Sequence, residues 1–346
     1  MATKTKSAFL LKDQLFNKLK VTKIANEIKA VYPQFESKKF INRVTKKFPE
    51  LELLERLLWI RDCLRDFLPG DYTVAVGILL ESLPPPCDPA LSDNDFGDFI
   101  YGPYGAYVAE YGCNQKNLQF SLDTIKEMTT RFSCEFPIRS FINTFPRVTL
   151  GELQKWTTDK HYHVRRLASE GTRVKLPWAK NIIIDYTEPL PILDTLYADT
   201  TRFVTRSVAN HMNDISKIDP QLVITTLKRW QKSGKQSVAE MQFIVRHSLR
   251  TLEKQGYPAA LTLLGFAPAE VKLTKLQIKE SKVVIGGTLE FSFNVTSTAR
   301  TTQSLLIDYH LYFKKKNGAL TPKTFKITVL EIVLYLLLLS SSLSNF

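Results

Sequence analysis

The sequence predicts a mainly α-helical chain, built as a repeat solenoid and followed by a small β-sandwich. Three observations carry this. Apolar residues recur at three- and four-residue steps through much of the first two-thirds, the spacing that sets one face of a helix against a core. A forty-residue repeat runs through the central third. After Gly265 the pattern turns to apolar/polar alternation in short β-rich runs.

From Lys12 to about Leu83 the helical period is regular. In LELLERLLWIRDCLRDFL, Leu51, Leu54, Leu57, Leu58, Ile60, Cys63 and Leu64 mark one face. Residues 82–103, SLPPPCDPALSDNDFGDFIYGP, break it with prolines, glycines and acids and read as an irregular loop. Helices resume with AYVAEYG and LDTIKEMTTRF. The repeat then appears: VRRLASEG, VTRSVANH and FIVRHSLR align with Arg166, Arg206 and Arg246 at steps of forty, and Asp159 and Asp199 precede two copies at one offset. A fainter copy is FPIRSFI, with Arg139. Helix pairs of this period resemble HEAT-like repeats. In the final part, turn signals at Gly286-Gly287 and Asn317-Gly318 separate strand-like runs, the pattern of an immunoglobulin-like β-sandwich. The expected division is residues 1–266 for the repeats, clearest over 131–258, and 267–346 for the β domain. The chain closes on VLEIVLYLLLLSSSLSNF, which shows neither alternation nor turns. Its apolar run, Ile327 to Leu339, falls short of the roughly 20 residues a membrane span needs, and Glu331 interrupts it. The end after about 326 therefore reads as truncated or frame-shifted rather than as a membrane anchor.

Charge narrows the function. With 47 Lys and Arg against 34 Asp and Glu the net charge is +13, which favours a polyanionic partner such as nucleic acid. Between Arg131 and Pro258, 20 basic residues stand against 12 acidic ones. Cys63, Cys87, Cys113 and Cys134 lie too far apart for a zinc knuckle and read as reduced thiols. The apolar run Ala8 to Leu11 is too short for a signal-peptide core, so a cytoplasmic, nucleoid-associated protein is expected. His161 and His163 have no further ligand at a metal-binding spacing; no metal and no cofactor is expected.

Repeat register also places candidate site residues. Helical residues four apart share a face, which joins Arg166 to Glu170, Arg206 to Asn210 and Asp214, and Arg246 to Arg250. Stacked repeats would then present a concave strip of arginines crossed by an acidic island of Glu170 and Asp214. The guanidinium fork suits phosphate. Arg166, Arg206 and Arg246 read either as phosphate ligands or as Asp–Arg contacts between repeats, whereas Arg165, Arg173 and Lys175 have no repeat role to explain them. Acids in a phosphate-binding strip repel the ligand and ask for a reason. One is glycosidic chemistry on a cationic base: breaking the C1′–N bond develops oxocarbenium character, which a carboxylate stabilises while positioning water. The other is a plain salt bridge for Glu170 and a polar helix end for Asp214. Glu135, in SCEFPIR, reads as a site acid or as a helix-dipole partner. Trp178 would stack on sugar or base, or cap the repeat core.

AYVAEYG, CEFPIRSFI, HVRRLASEGTRVKLPW, RSVANHMNDISK, VRHSLR and ALTLLGF together resemble the AlkC-type DNA alkylation-repair glycosylases, a branch of the HEAT-like repeat DNA glycosylases that also includes AlkD. The match runs from about Leu15 to Lys326. The resemblance implies a monofunctional, monomeric enzyme that acts on double-stranded DNA without cofactor. It would excise cationic bases such as 3-methylcytosine and 1-methyladenine and leave an abasic site. By motif the family's acids fall on Glu135, Glu170 and Asp214, and its aromatic on Trp178. Arg139, Arg165, Arg166, Arg173, Lys175, Arg206, Asn210 and Arg246 are the expected DNA contacts. The family's immunoglobulin-like domain continues past a KTFK-like motif, here Lys323 to Lys326, into strands that are absent or replaced here. A non-catalytic HEAT-like scaffold that binds DNA or an acidic protein is the competing reading.

Overall fold

The computed structural model describes residues 10–88, 96–280, 282–283, 287–332 and 336–344. Residues 89–95 of the expected loop and Gly286 of one expected turn lie outside the described residues. The chain divides into two compact units, Met1–Ile218 with Arg229–Ser248, and Asp219–Lys228 with Leu249–Phe346.

The first unit begins with α1 (Leu11–Leu15), α2 (Lys18–Val31), α3 (Ser37–Lys47), α4 (Leu53–Phe67) and α5 (Tyr72–Glu81). Their starts follow from local chemistry. Asn17 Oδ1 accepts from the Lys20 N–H at 3.0 Å and Asp71 Oδ1 from that of Val74 at 3.0 Å, while Glu52 and Glu55 form a reciprocal capping box on α4. The predicted stripe of α4 is buried at Leu57, Ile60, Cys63 and Leu64, whereas Leu58 faces solvent. After the irregular loop come α6 (Gly102–Tyr111) and α7 (Leu118–Met128).

The repeats follow: α8 (Glu135–Thr144), α9 (Pro146–Trp156), α10 (Tyr162–Glu170), α11 (Leu190–Leu196), α12 (Arg202–Ile215), α13 (Pro220–Ser233), α14 (Val238–Lys254) and the short α15 (Pro258–Leu263), of which the start of α13 through Lys228, the end of α14 from Leu249 and all of α15 belong to the second unit. Helices α10 and α12 start forty residues apart and pack on each other, and α9 packs on α11. The repeating aspartates explain the register. Asp159 Oδ1 accepts from His161 N, and Asp199 Oδ1 from Thr201 N, both at 2.8 Å, so each caps the turn before its helix. Each also receives a cation from the preceding repeat: Lys126 reaches Asp159 at 2.8 Å and Arg165 reaches Asp199 at 2.5 Å.

In the second unit, β1 (Val271–Ile278), β2 (Thr288–Ser297) and β5 (Leu336–Ser344) form one antiparallel sheet in the order β1-β2-β5. A hairpin of β3 (Gln303–Lys314) and β4 (Leu320–Ile332) forms the other. Its turn contains Gly318 at φ 83, the left-handed conformation that makes Asn-Gly a hairpin signal. Val295 and Leu305 centre the small core, with Val271, Phe293 and Ile307 against them. The chain's last strand lacks the alternation of the others. Leu336–Ser344 pairs residue by residue with β2, from Thr288↔Ser344 to Thr296↔Leu336, because ladder hydrogen bonds are a backbone property that does not require alternating side chains. Among the described residues no helix is long and apolar enough to cross a membrane.

Candidate active site

An open cleft of about 880 Å³ in the first unit gathers Glu135, Glu170, Arg166, Arg173, Trp178, Arg206 and Asn210 with Phe96, Phe203, Ser133 and Ser207. Three acids line it: Asp98, which is paired with Lys20 and Lys23, and two from the repeats, Glu135 opening α8 and Glu170 closing α10. Between Glu135 and Glu170 lies the Arg166 guanidinium. Its Nη1 is 3.6 Å from Glu135 Oε2 and its Nη2 is 3.7 Å from Glu170 Oε2, too far for good hydrogen bonds. Instead Nη1 donates to Ser133 Oγ at 2.7 Å, and the Ser133 hydroxyl donates to Glu135. The Arg166 plane lies 4.5 Å from the Phe203 ring centroid and 5.4 Å from that of Phe96, so cation–π attraction helps hold a buried charge.

Glu170 is 5 % exposed. Its Oε1 accepts from Arg173 Nη1 at 2.7 Å and its Oε2 from the Ser207 hydroxyl at 2.6 Å. Burial alone would push this carboxyl up, but the guanidinium charges of Arg166 and Arg173 and the Ser207 hydrogen bond hold it below the usual carboxylate range. It is therefore ionised at neutral pH.

The loop after α10 explains the SEGTR-x-x-LPW stretch. A Cβ at Gly171 would meet Ile138 Cγ2 at 2.6 Å, so only glycine lets α10 end against α8. Ala179 N donates to Leu176 O at 3.3 Å around Pro177 and Trp178, and Trp178 has φ 65. This is a type II turn with proline at its second position and tryptophan where glycine is usual. A bulky residue in the left-handed region costs about 1–2 kcal/mol, yet Trp178 is 66 % exposed at the cleft rim. Core packing does not account for that cost, and capping of the repeat core is not its role.

Several expected DNA contacts are engaged otherwise. Arg139 is 1 % exposed and donates to the carbonyls of Lys180 at 2.6 Å, Gly171 at 3.1 Å and Arg173 at 2.8 Å; it pins the loop from beneath. Asn143, one turn on, holds Asn181 O and Ile183 N. Arg165, read as free of any repeat role, is the residue that makes the contact between repeats, through both oxygens of Asp199. Arg166 faces the cleft acids, so the two neighbours exchange the roles that the register assigned. Arg173 spends Nε and Nη2 on Asp214 Oδ2, at 2.9 and 2.7 Å, and Nη1 on Glu170. Asp214 does not line the cleft. It is buried behind Arg173, with Lys217 Nζ on Oδ1 at 3.1 Å. The reason is the loop, which lays Arg173 across the C-terminal half of α12, an approach that helical periodicity does not encode. Arg206 and Asn210 line the cleft, and Asn210 Oδ1 lies 2.8 Å from His247 Nε2. Lys175 and Arg246 are exposed.

Sequence reading passed over Ser133, Ser207, Phe96 and Phe203. Ser133 could have been noticed two residues before Glu135, whereas Ser207 and the phenylalanines carry no signal before the repeats are stacked. Among the described residues no cluster of His, Cys, Asp and Glu could hold a metal.

Residues 121–251 match the family described as DNA alkylation repair enzyme, and residues 272–333 match the C-terminal Ig-like domain of the uncharacterised protein YhaZ. The uncharacterised protein YhaZ of Bacillus subtilis (strain 168) is 33% identical over 324 residues, spanning 92% of this chain and 86% of its own. A solved structure of Pseudomonas fluorescens alkylpurine DNA glycosylase AlkC, bound to DNA containing an abasic site analog, superposes with a TM-score of 0.85 at 32% identity. It covers 97% of this chain and 90% of its own.

Proposed function

Since the chain belongs to the DNA alkylation repair enzymes of the AlkC type, we propose that it is a monofunctional DNA glycosylase excising cationic N-alkylated bases from duplex DNA. The substrates proposed are 1-methyladenine, an alkylpurine, and 3-methylcytosine. The observation that carries the reading is the placement of Glu135 and Glu170 in one cleft beneath an exposed, left-handed Trp178.

The chemistry follows from charge. An N-alkylated base already carries a positive charge, so when the C1′–N bond breaks its electron pair returns to nitrogen and the base leaves neutral. No acid has to protonate it. The charge moves to the sugar as an oxocarbenium ion, against which fixed carboxylates are stabilising. Water then adds to C1′ and loses a proton to a carboxylate or to solvent, leaving a hemiacetal at an abasic site. A carboxyl held ionised suits this task and would suit a general acid badly, which is the state of Glu170. Trp178 would stack on the sugar or base, and Lys175, Arg206 and Arg246 would meet phosphates. Enzymes that act on a base reach it outside the intact stack, and bending a duplex is one way to expose it.

The test is incubation with duplexes carrying a single 3-methylcytosine or 1-methyladenine, scoring free base and alkali-labile strand breaks. The expected result is excision by the wild type and a loss of about 10²–10³ in single-turnover rate for Glu170→Gln, the scale of losing one electrostatic stabiliser. Tight DNA binding with no base released would leave the scaffold reading standing instead.

A further inference from the structure

The site holds a further acid that does not reach the cleft, and its geometry has a consequence for Glu170. Arg173 sits between two carboxylates and treats them unequally. Asp214 Oδ2 takes both Nε and Nη2, whereas Glu170 Oε1 takes only Nη1 at 2.7 Å. A guanidinium offered one carboxylate grips it with two parallel bonds and comes close to neutralising it. Here Asp214 occupies that fork. Glu170 receives a single bond on one oxygen, and the Ser207 hydroxyl holds the other. The remaining neighbours of this cluster fix its balance. Arg166 stands 3.7 Å from Glu170, and Lys217 holds the far oxygen of Asp214. Arg139 lies near enough to Arg173 to be disfavoured by it, and its own guanidinium goes to carbonyls. His211, fully buried on α12, is pushed down to about 3 by burial and by Arg173, and is neutral.

We propose that Asp214 is a positioning residue acting through Arg173. By holding the arginine fork it keeps Glu170 oriented by one bond, with its negative charge available to the cleft. The proposal rests on the glycosylase reading for what Glu170 does, and departs from it in giving Asp214 no contact with the sugar or with water.

Two substitutions separate the roles because they perturb Glu170 in opposite senses. Asp214→Asn keeps an acceptor but removes the charge that holds the Arg173 fork, so the guanidinium shifts toward Glu170 and quenches that carboxylate. Arg173→Gln removes a cation from a buried carboxylate and raises its affinity for a proton. Each is expected to slow single-turnover excision by about tenfold to a hundredfold, the range for a misplaced catalytic group. The double variant should be no slower than the worse single one, because residues acting as a unit are not additive. The pH profiles differ: Arg173→Gln loses rate on acidification at a higher pH than the wild type, because a cation that lowers the Glu170 carboxyl is gone, and Asp214→Asn does not. Carboxyl ¹³C titration of Glu170, assigned with Glu170→Gln, should show the same opposition without any need for turnover. If Arg173→Gln does not fold, Arg173→Lys keeps the charge without the fork and should fall between it and the wild type. Excision abolished by Asp214→Asn but retained by Arg173→Gln would overturn the proposal in favour of a direct role, as would losses that multiply in the double variant. A wild-type rate for Asp214→Asn would overturn it as well. An inactive wild type whose Glu170 titrations behave as described would count against the glycosylase reading alone.

Discussion

Arg139 offers the clearest separation between a residue that binds DNA and one that builds the site. Sequence register assigned it to phosphate, yet its guanidinium is buried and donates to three carbonyls of the loop that carries Arg173 and Trp178. Arg139→Met preserves the apolar stem and removes all three bonds. Hydrogen bonds from a charged donor are worth about 1.5–3 kcal/mol each. Burial, and the like charge of Arg173, push the guanidinium down to about 10, so the cost of burying it offsets part of that sum. The expected net loss is about 3–5 kcal/mol, the range for breaking a buried charged network, or roughly 10 °C in Tm for a unit of this size. The assay pairs thermal unfolding by circular dichroism with the salt dependence of DNA affinity. A phosphate ligand would lower the salt slope by about one on removal and leave Tm in place. That outcome would refute the loop-anchor argument.

Trp178→Gly should raise stability by about 1 kcal/mol, since glycine adopts the left-handed turn position without strain, while excision falls; a stability loss in denaturant titration would contradict the strain. Gly171→Ala should cost about 1–3 kcal/mol through overpacking against Ile138, read as a lower denaturant midpoint at unchanged slope. His211 gives a pH signature: the unfolded imidazole protonates near 6.5 whereas the folded one resists to about 3. The unfolded chain therefore binds the extra proton in that window, and stability declines as pH falls from 6.5 toward 3 by at most about 1.4 kcal/mol per pH unit. His211→Gln should flatten that slope in unfolding titrations, and an unchanged slope would assign it to other groups.

Much of the architecture was legible in the sequence. Helix, repeat and hairpin each rest on local rules of period, cap and turn, so the forty-residue spacing of Asp159 and Asp199 and the Asn317-Gly318 signal carried their own meaning. Glu170 and Asp214 stood out as acids in a basic strip, whereas Glu135 was picked out by the family motif and Trp178 by motif and by its place after a proline. Residues whose roles depend on what lies across a repeat boundary were not legible. Arg165 and Arg166 are adjacent and chemically identical, and periodicity favoured the wrong one for the Asp199 contact. Arg139, Arg173 and Asp214 meet only because an irregular loop folds back over α8 and α12, which no spacing rule specifies.

The sequence by itself determined the helical period, the repeat length and the strand turns, since each follows from interactions a few residues apart. Tertiary structure alone decided which arginines are spent on buried carboxylates and carbonyls and which acids face the cleft. A guanidinium or carboxylate has one set of bonds to give, and its partner is chosen by close approach between elements about forty residues distant.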